Sequence, residues 1–272
     1  MPTNNSYPPI LVTGGTGTLG RLLVPRLLAA GRPVRILTRH AGPATENVEY
    51  AVGDLEADTG VDAAVAGIDT VVHCAGSAKH DGAKARSLVR AAAKAGVKHI
   101  VYISVVGADR VPVVSRIDRG AFGYFAGKRE GELAIEQSGI PWTTLRATQF
   151  HDLALLTASA LAKFPMIPVP SGARFQPVDA AEVADRLAEL ALGDPAGLVP
   201  DVAGPRIYPM GDLIRSYLRA VGKRRLMFPV RVPGGASRAI SAGANLAPDH
   251  ATGKVTWEEF LAVHVTAPSG RR

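Results

Sequence analysis

The 272-residue sequence has little that a secreted or membrane-bound protein needs. It contains a single cysteine, Cys74, which excludes an internal disulfide framework and fits a reducing compartment. The N-terminal residues lack the basic and apolar segments typical of a signal peptide. No run of about twenty apolar residues occurs, so no segment is expected to cross a membrane. These absences predict a cytoplasmic protein without a membrane partner.

Compact charge clusters and aromatic residues are also scarce. The formal net charge of +7 is dispersed, with short basic clusters only at residues 223–225 and 271–272. Aromatic residues make up 6% of the chain and none accompanies these clusters, so a nucleic-acid partner is not expected. No histidine pair has metal-ligand spacing, so no metal site is expected. The sequence also lacks a Gly-x-Ser-x-Gly segment, and nothing favours hydrolase chemistry.

A glycine-rich turn near the N-terminus is the most informative stretch present. A short apolar run, residues 10–13, leads into Gly14, Gly17 and Gly20, and a helical pattern follows. Gly14 permits a tight turn, Gly17 has no Cβ to block phosphates, and Gly20 allows close packing of helix on strand. The N–H groups and positive dipole of the helix then face an anion. The stretch predicts a nucleotide pyrophosphate site; an ordinary strand-to-helix turn is the alternative.

Strands and helices alternate through the first half of the chain. Parallel neighbours need crossover helices, so this alternation predicts an α/β fold with a doubly wound parallel sheet, the Rossmann fold. The predicted strands are residues 10–13, 33–38, 48–52, 70–74, 97–104 and 142–146. The predicted helices are residues 19–30, 83–95 and 124–138, and residues 105–121 read as an irregular loop over a site. Residues 8–147 therefore form the predicted dinucleotide-binding core.

The alternation weakens after residue 147. Residues 148–272 are expected to complete the core and to form a smaller substrate lobe. Predicted helices there are residues 153–162, 180–192, 212–221 and 256–263, with a proline-rich loop at 164–174 and a strand at 226–232.

Several polar or small residues follow the predicted parallel strands, at the edge where such sheets bind ligands. Arg39 follows the second strand, where a basic side chain pairs with a ribose 2′-phosphate, so it favours NADP over NAD. A surface loop arginine is the alternative. Asp54 is placed to accept from the adenine amino group, and Ala75 and Gly76 leave room for the cofactor. Ser104 ends the fifth strand at the same edge.

Tyr124 and Lys128 lie four residues apart, so one face of a helix presents both side chains. Beside a nicotinamide, the lysine ammonium would stabilise the tyrosine phenolate and hold the ribose hydroxyls. The tyrosine would exchange a proton with a carbonyl oxygen as hydride moves, and Ser104 would hydrogen-bond that oxygen. The alternative is a surface pair on an ordinary helix.

These stretches, together with residues 139–151, resemble the atypical short-chain dehydrogenase/reductases, in particular their NmrA-like, NAD(P)H-binding branch, over residues 8–205. The resemblance implies an NADP-binding Rossmann core and contacts from Thr148, Gln149 and Phe150 near the nicotinamide end. It also implies that the tyrosine–lysine pair is altered or unused in many members, some of which sense the NADPH/NADP ratio.

This sequence keeps both Tyr124 and Lys128, which favours catalysis. Ser104 precedes Tyr124 by twenty positions, closer than the serine of the family, and Val105 stands where a second serine is common. Ser115 is a weaker substitute. His151 is either a substrate contact or, more in keeping with its strand-to-helix position, a structural hydrogen-bonding residue.

The candidate catalytic residues are thus Tyr124, Lys128 and Ser104. The candidate cofactor contacts, from the strand ends and the resemblance together, are Gly14, Thr16, Gly17, Thr18, Leu19, Gly20, Arg39, Asp54, Leu55, Ala75, Gly76, Lys128, Thr148 and Phe150. The resulting hypothesis is an NADP-dependent oxidoreductase that acts on a small carbonyl, alcohol or enone. A non-catalytic NADPH sensor and a sugar-nucleotide epimerase or dehydratase are the alternatives, and the oligomeric state, monomer or homodimer, is left open.

Overall fold

The computed structural model describes residues 7–76 and 80–265, which form two compact units made of interleaved segments. The first unit contains residues up to 104, then Gly123–Arg146 and Ala181–Pro200. The second unit contains Val105–Phe122, Ala147–Ala180 and residues from 201 onward.

The elements are numbered along the chain. The strands are β1 (Ile10–Thr13), β2 (Val34–Thr38), β3 (Val48–Val52), β4 (Thr70–His73), β5 (His99–Val105), β6 (Trp142–Ala147), β7 (Met166–Pro170), β8 (Arg174–Phe175), β9 (Gly197–Leu198), β10 (Tyr208–Pro209) and β11 (Leu226–Val230). The helices are α1 (Thr18–Ala29), α2 (Val61–Val65), α3 (Asp81–Ala95), α4 (Arg116–Glu136), α5 (His151–Leu161), α6 (Ala180–Leu192), α7 (Met210–Ala220), α8 (Gly235–Ala242) and α9 (Trp257–His264).

The first unit is built on a seven-stranded sheet in the order β3-β2-β1-β4-β5-β6-β9. The pairs β2–β3, β1–β2, β1–β4, β4–β5 and β6–β9 are parallel. The strand order reverses between β1 and β4, and ligands of open α/β sheets bind outside the carboxyl ends of the strands at such a point. The predicted doubly wound Rossmann fold is confirmed.

Apolar side chains hold α2 and α3 against this sheet. Leu11, Leu88, Ile100 and Ile135 are each fully buried in one cluster, together with α2 residues such as Ala64. Burial of each large aliphatic side chain stabilises a fold by about 1.5–3 kcal/mol, so the cluster keeps the strand ends in register.

The second unit packs helices around an indole. Trp257 is fully buried with Leu213, Phe260 and Leu261, and its Nε1–H donates to the Leu213 carbonyl at 3.2 Å. Strand β8 pairs antiparallel with β10, and β7 pairs parallel with β11. Among the residues described, no helix is both long and apolar enough to cross a bilayer.

The structure corrects the expected start of α4. This helix begins at Arg116 rather than Tyr124, so it takes up part of the predicted irregular loop. Ser115 caps it: the Asp118 N–H donates to Ser115 Oγ at 3.0 Å, and the Ser115 N–H donates to Asp118 Oδ2 at 3.1 Å. This reciprocal cap supports a helix that continues through Gly120 and Gly123.

The predicted loop at residues 164–174 was also wrong in part, because it contains β7. Pro168 and Pro170 are tolerated there, since β7 pairs with β11 in a sheet of two strands and proline is accepted on an edge strand. Helices α2, of five residues, and α8, of eight, were not predicted.

Candidate functional site

The glycine turn after β1 has the close contacts that its sequence predicts. Gly14 has φ of +70°, and a Cβ there would lie 2.7 Å from the Ala75 nitrogen. The Gly17 N–H donates to the Gly14 carbonyl at 3.0 Å. A Cβ on Gly20 would collide with the Gly14 carbonyl oxygen and lie 2.5 Å from Gly15 Cα. Only glycine fits at positions 14 and 20 without movement of the backbone.

A cleft of about 690 Å³ opens beside this turn, entirely within the first unit. Its volume lies within the range of about 300–1,000 Å³ found for small-molecule and cofactor sites. Its walls come from the segments that follow β1, β2, β3 and β4 and from the first turn of α3. The lining residues are Thr13, Gly14, Thr16, Gly17, Leu37, Thr38, Arg39, His40, Gly53, Asp54, Leu55, Glu56, Ala75, Gly76, His80 and Lys84.

The cleft brings together most of the predicted cofactor contacts. Those that line it are Gly14, Thr16, Gly17, Arg39, Asp54, Leu55, Ala75 and Gly76. Thr18, Leu19 and Gly20 form the first turn of α1, where backbone N–H groups have no intrahelical partner. The first turn of α1 has no acidic residue, so its dipole is available to an anion.

Arg39 and His40 form the exposed end of the cleft wall that follows β2. Within residues 7–76 and 80–265, no salt bridge includes Arg39. On the wall formed by α3, His80 Nδ1 lies 2.7 Å from Glu56 Oε1, and Lys84 Nζ lies 3.9 Å from Glu56 Oε2. Four of these cleft residues were not predicted from the sequence: His40, Glu56, His80 and Lys84. The position of Lys84 in the first turn of the helix after β4 was the available indication.

The carboxylate of Asp54 is held by the turn that follows it. Its Oδ1 accepts from the Glu56 N–H at 2.8 Å and from the Ala57 N–H at 3.4 Å. The turn therefore fixes the carboxylate in the cleft wall. Its contact with an adenine stays a prediction.

A buried polar link joins the ends of β1 and β4 beneath the turn. Thr13 Oγ1 lies 2.6 Å from His73 Nδ1 and accepts from the Ala75 N–H at 3.2 Å. Burial, with nearby lysine charges, lowers the pKa of His73 to about 3, so the imidazole is neutral. The link keeps Ala75 in close contact with the glycine turn.

Lys128, on α4, is a buried residue beside the cleft but is not one of the residues that line it. Its Nζ donates to the Ile103 carbonyl at 3.1 Å and lies 3.3 Å from Asp81 Oδ2. The Asp81 carboxylate is also buried. A Cβ on Gly76 would lie 3.1 Å from Nζ, so the ammonium lies directly behind a cleft-lining residue.

Two tyrosines flank this ammonium. Lys128 Nζ lies 5.1 Å from the centroid of the Tyr102 ring and 5.7 Å from that of Tyr124. Burial lowers the pKa of Lys128, but interactions with both tyrosines and with Asp81 outweigh burial and raise it above its usual value. The lysine is therefore charged at neutral pH.

Exposure distinguishes the two tyrosines. Tyr102 is 1% exposed, and burial raises its pKa to about 12, so its phenol stays neutral. Tyr124 is 37% exposed. Tyr124 is therefore the more exposed of the two tyrosines.

Ser104 is buried beside an internal ion pair. Arg146 binds Glu132 through two hydrogen bonds of 2.8 Å, and both side chains are buried. Burial raises the pKa of Glu132, but Arg146, Ser104 and Arg129 together lower it below its usual value. Within the described part of the chain, Ser104 Oγ makes no hydrogen bond of ordinary geometry. The role of Ser104 as the carbonyl-binding group stays a prediction.

The remaining candidates belong to the second unit. The buried Thr148 hydroxyl donates to the Gln176 carbonyl at 2.6 Å, and Phe150 is the half-buried N-cap of α5. His151 is fully buried, with Nε2 3.0 Å from the Val255 carbonyl, and stacks in the aromatic cluster of α9. This is the structural arrangement that its strand-to-helix position favoured. Contacts of Thr148 and Phe150 with a cofactor stay predictions.

Comparison with known proteins shows the family to which the chain belongs. A family model described as NAD(P)H-binding matches residues 14–190. The chain is 31% identical over 224 residues to the (4-alkanoyl-5-oxo-2,5-dihydrofuran-3-yl)methyl phosphate reductase of Streptomyces griseus. The aligned segment covers 79% of this chain and 74% of that protein. It is 29% identical over 221 residues to the NAD(P)H azoreductase of Xenophilus azovorans, with the same coverage.

A solved structure is similar over nearly the whole chain. The NADPH-dependent quinone oxidoreductase of Escherichia coli, solved with NADPH, superposes with a TM-score of 0.75 and covers 94% of this chain and 99% of its own. At 19% identity, this similarity shows the fold alone.

Proposed function

Because this chain belongs to the NAD(P)H-binding family, we propose that it is an NADP-dependent oxidoreductase that reduces a small carbonyl or enone substrate, or oxidises the corresponding alcohol. The observation that carries the proposal is the position of Lys128 Nζ, which is charged, buried and directly behind Gly76 in the cleft wall. A lysine that served only as a surface partner of Tyr124 would not be buried there.

The cleft has the features that a dinucleotide requires. Gly14 and Gly20 permit a backbone turn that any Cβ would obstruct, and the first turn of α1 offers N–H groups to a pyrophosphate. Arg39 lies at the end of the wall where a 2′-phosphate would be held. We propose that these residues bind NADPH. Once bound, NADPH supplies the hydride.

The side chains of α4 supply the other parts of the chemistry. Lys128, whose Nζ lies 5.7 Å from the centroid of the Tyr124 ring, would hold the ribose hydroxyls and place a positive charge near the reacting groups. Tyr124, the more exposed tyrosine, would donate a proton to the substrate oxygen. Residues 148–272 would recognise the substrate, with Ser104 or Thr148 as the orienting group. A cytoplasmic location stays a prediction from cysteine usage.

Replacement of the tyrosine tests the catalytic part. We expect Tyr124→Phe to lower turnover of a panel of ketones, enones, quinones and azo compounds by about 10²- to 10⁴-fold, the usual contribution of general acid–base catalysis. NADPH affinity should stay within about twofold, and Tyr7→Phe, at a position 61% exposed, is the matched control. Unchanged turnover in Tyr124→Phe contradicts the proposed proton donor.

Titration of NADPH and NADH, followed by cofactor fluorescence, tests the cofactor. We expect a clear preference for NADPH, which Arg39→Asp should abolish or reverse because the carboxylate repels a 2′-phosphate and accepts from a free 2′-hydroxyl. Equal affinities in the native protein contradict this role of Arg39. Selective NADPH binding without turnover of any panel member would instead support the sensor. A tightly held oxidised cofactor that co-purifies would support the epimerase or dehydratase.

A further inference from the structure

The buried ion pair between Asp81 and Lys128 joins two helices of the first unit. Asp81 lies in the first turn of α3 and is 2% exposed, and Lys128 lies in α4 and is 3% exposed. Lys128 Nζ lies 3.3 Å from Asp81 Oδ2. The two helices approach closely at this point, since a Cβ on Gly127 would lie 3.5 Å from Asp81 Cβ. The pair is therefore part of the packing of α3 against α4.

The surroundings of this ammonium offer little negative charge apart from Asp81. In the part of the chain that the structure describes, the other titratable groups around it are Tyr102, Tyr124, His73 and Cys74. Burial raises the pKa of both Tyr102 and Cys74 to about 12 and, with nearby lysine charges, lowers that of His73 to about 3. These three groups are neutral at pH 7, and Tyr124 is neutral as a phenol. The Asp81 carboxylate is thus the formal counter-charge of the lysine.

Removal of the Asp81 carboxylate would leave the ammonium buried among neutral groups. Burial without a partner lowers the pKa of a lysine by up to about 3–5 pH units, which brings it into the neutral range. A neutral amine places no positive charge beside the cleft. The carboxylate therefore keeps Lys128 in the charged form at the pH at which the protein works.

The contacts of Lys128 also fix the place of its ammonium. A lysine ammonium has three N–H donors, and one of them donates to the Ile103 carbonyl at 3.1 Å. A Cβ on Gly76 would lie 3.1 Å from Lys128 Nζ and 3.5 Å from Asp81 Oδ2, so both charged groups lie against this cleft-lining residue. The Ile103 carbonyl and the carboxylate hold the long side chain in one place and leave at least one N–H for a further acceptor.

We propose that Asp81 is a positioning residue, whose carboxylate holds the Lys128 ammonium beside the cleft so that Lys128 can bind the ribose of the cofactor. The inference rests on the proposed function, because it takes Lys128 as a cofactor contact. Asp81 acts through Lys128 rather than on the substrate. The competing explanation is that Asp81 only stabilises α3, as an acidic side chain in the first turn of a helix.

NMR of ¹³C-labelled lysine reads the charge of Lys128 directly. Its ¹³Cε signal, assigned by its absence from Lys128→Met, is followed from pH 6 to pH 10. We expect no titration in the native protein and a midpoint below about pH 9 in Asp81→Asn. Asp69→Asn, which removes an exposed pair with Lys98, is the matched control and should leave the signal unchanged. A signal that does not titrate in Asp81→Asn overturns the proposal.

A double-mutant cycle separates positioning from stabilisation of α3. NADPH affinity is measured by fluorescence at pH 6 and pH 9. We expect Asp81→Asn to weaken binding about tenfold more at pH 9 than at pH 6, because the lysine loses its charge over this range. In a Lys128→Met background, Asp81→Asn should weaken binding no further. An equal loss in both backgrounds, or the same loss at both pH values, overturns the proposal.

Thermal unfolding covers variants that fold poorly. Asp81→Asn should lower the unfolding temperature more than Asp69→Asn does, and Lys128→Met should restore part of this loss by removing the unpaired ammonium. Folding of Asp81→Asn only in combination with Lys128→Met supports the proposal. Failure to fold in both backgrounds overturns it, because the carboxylate then acts without the lysine. The NMR and unfolding results need no cofactor, so a native protein that does not bind NADPH would contradict the proposed function and leave the pairing of Asp81 with Lys128 measured.

Discussion

Gly20 provides the sharpest single test of the nucleotide site, because the structure gives opposite expectations for the same substitution at two helical glycines. In an open helix position, Gly→Ala stabilises by about 0.8–1.0 kcal/mol through helix propensity. A methyl group added at Gly120, inside α4, would have no heavy atom within 4 Å, so Gly120→Ala should stabilise the protein by roughly this amount.

At Gly20 the added methyl meets the Gly14 carbonyl oxygen and comes within 2.5 Å of Gly15 Cα. Both atoms belong to the backbone and cannot rotate away. Overpacking of this kind costs about 1–3 kcal/mol, which exceeds the gain in propensity. The turn must then move away from α1, and the N–H groups proposed to bind the pyrophosphate lose their arrangement. We expect Gly20→Ala to lower NADPH affinity at least tenfold, which corresponds to about 1.4 kcal/mol.

The assay is a fluorescence titration of NADPH paired with thermal unfolding of both variants and the native protein. The expected pattern is lower unfolding temperature and weaker binding for Gly20→Ala, against higher unfolding temperature and native binding for Gly120→Ala. Native NADPH affinity together with native stability in Gly20→Ala would refute the assignment of this turn to the cofactor.

Two further predictions concern buried groups of the first unit. Glu132→Ala should destabilise by about 3–5 kcal/mol, because it removes both hydrogen bonds of a buried ion pair with Arg146; Glu130→Ala, which removes an exposed pair, should cost less than about 1 kcal/mol in the same denaturant titration. Since the folded pKa of Glu132 is lowered, its contribution is present above the usual value of 4.5 and is lost as the pH falls through the lowered pKa, so the difference from the native protein should shrink in acid. Cys74, a half-buried residue whose pKa burial raises to about 12, should react with thiol reagents at pH 8 more slowly in the folded than in the denatured protein; an equal rate in the two states contradicts the raised pKa.

Much of the first unit was predictable from the sequence, because residues close together in the chain determine its strands, helices and turns. The bounds of β3 and α6 agree with prediction, since each has a strong apolar period and clear ends. The resemblance to the NmrA-like branch is confirmed at the level of the NAD(P)H-binding family. Eight predicted cofactor contacts line one cleft, because each follows a parallel strand and such strand ends share one sheet edge.

Features that depend on distant residues were not readable. The pairing of Asp81 with Lys128 joins positions on two helices, and the stretch before α3 gives no indication of it. The position of Ser104 at a strand end predicted a hydrogen bond to the substrate oxygen, yet Ser104 is buried beside Glu132, which lies on α4. The start of α4 was not predicted, because the reciprocal cap between Ser115 and Asp118 stands at the beginning of a stretch that contains two glycines.

The parallel sheet, the glycine turn and the spacing of Tyr124 and Lys128 were predictable from residues close together in the chain, since strand and helix periods and close backbone approach are encoded over a few residues. The three-dimensional packing establishes which of the two tyrosines is the more exposed and which carboxylate lies next to the lysine. These properties depend on burial and charge contributed by residues far apart in the chain, and no local pattern records them.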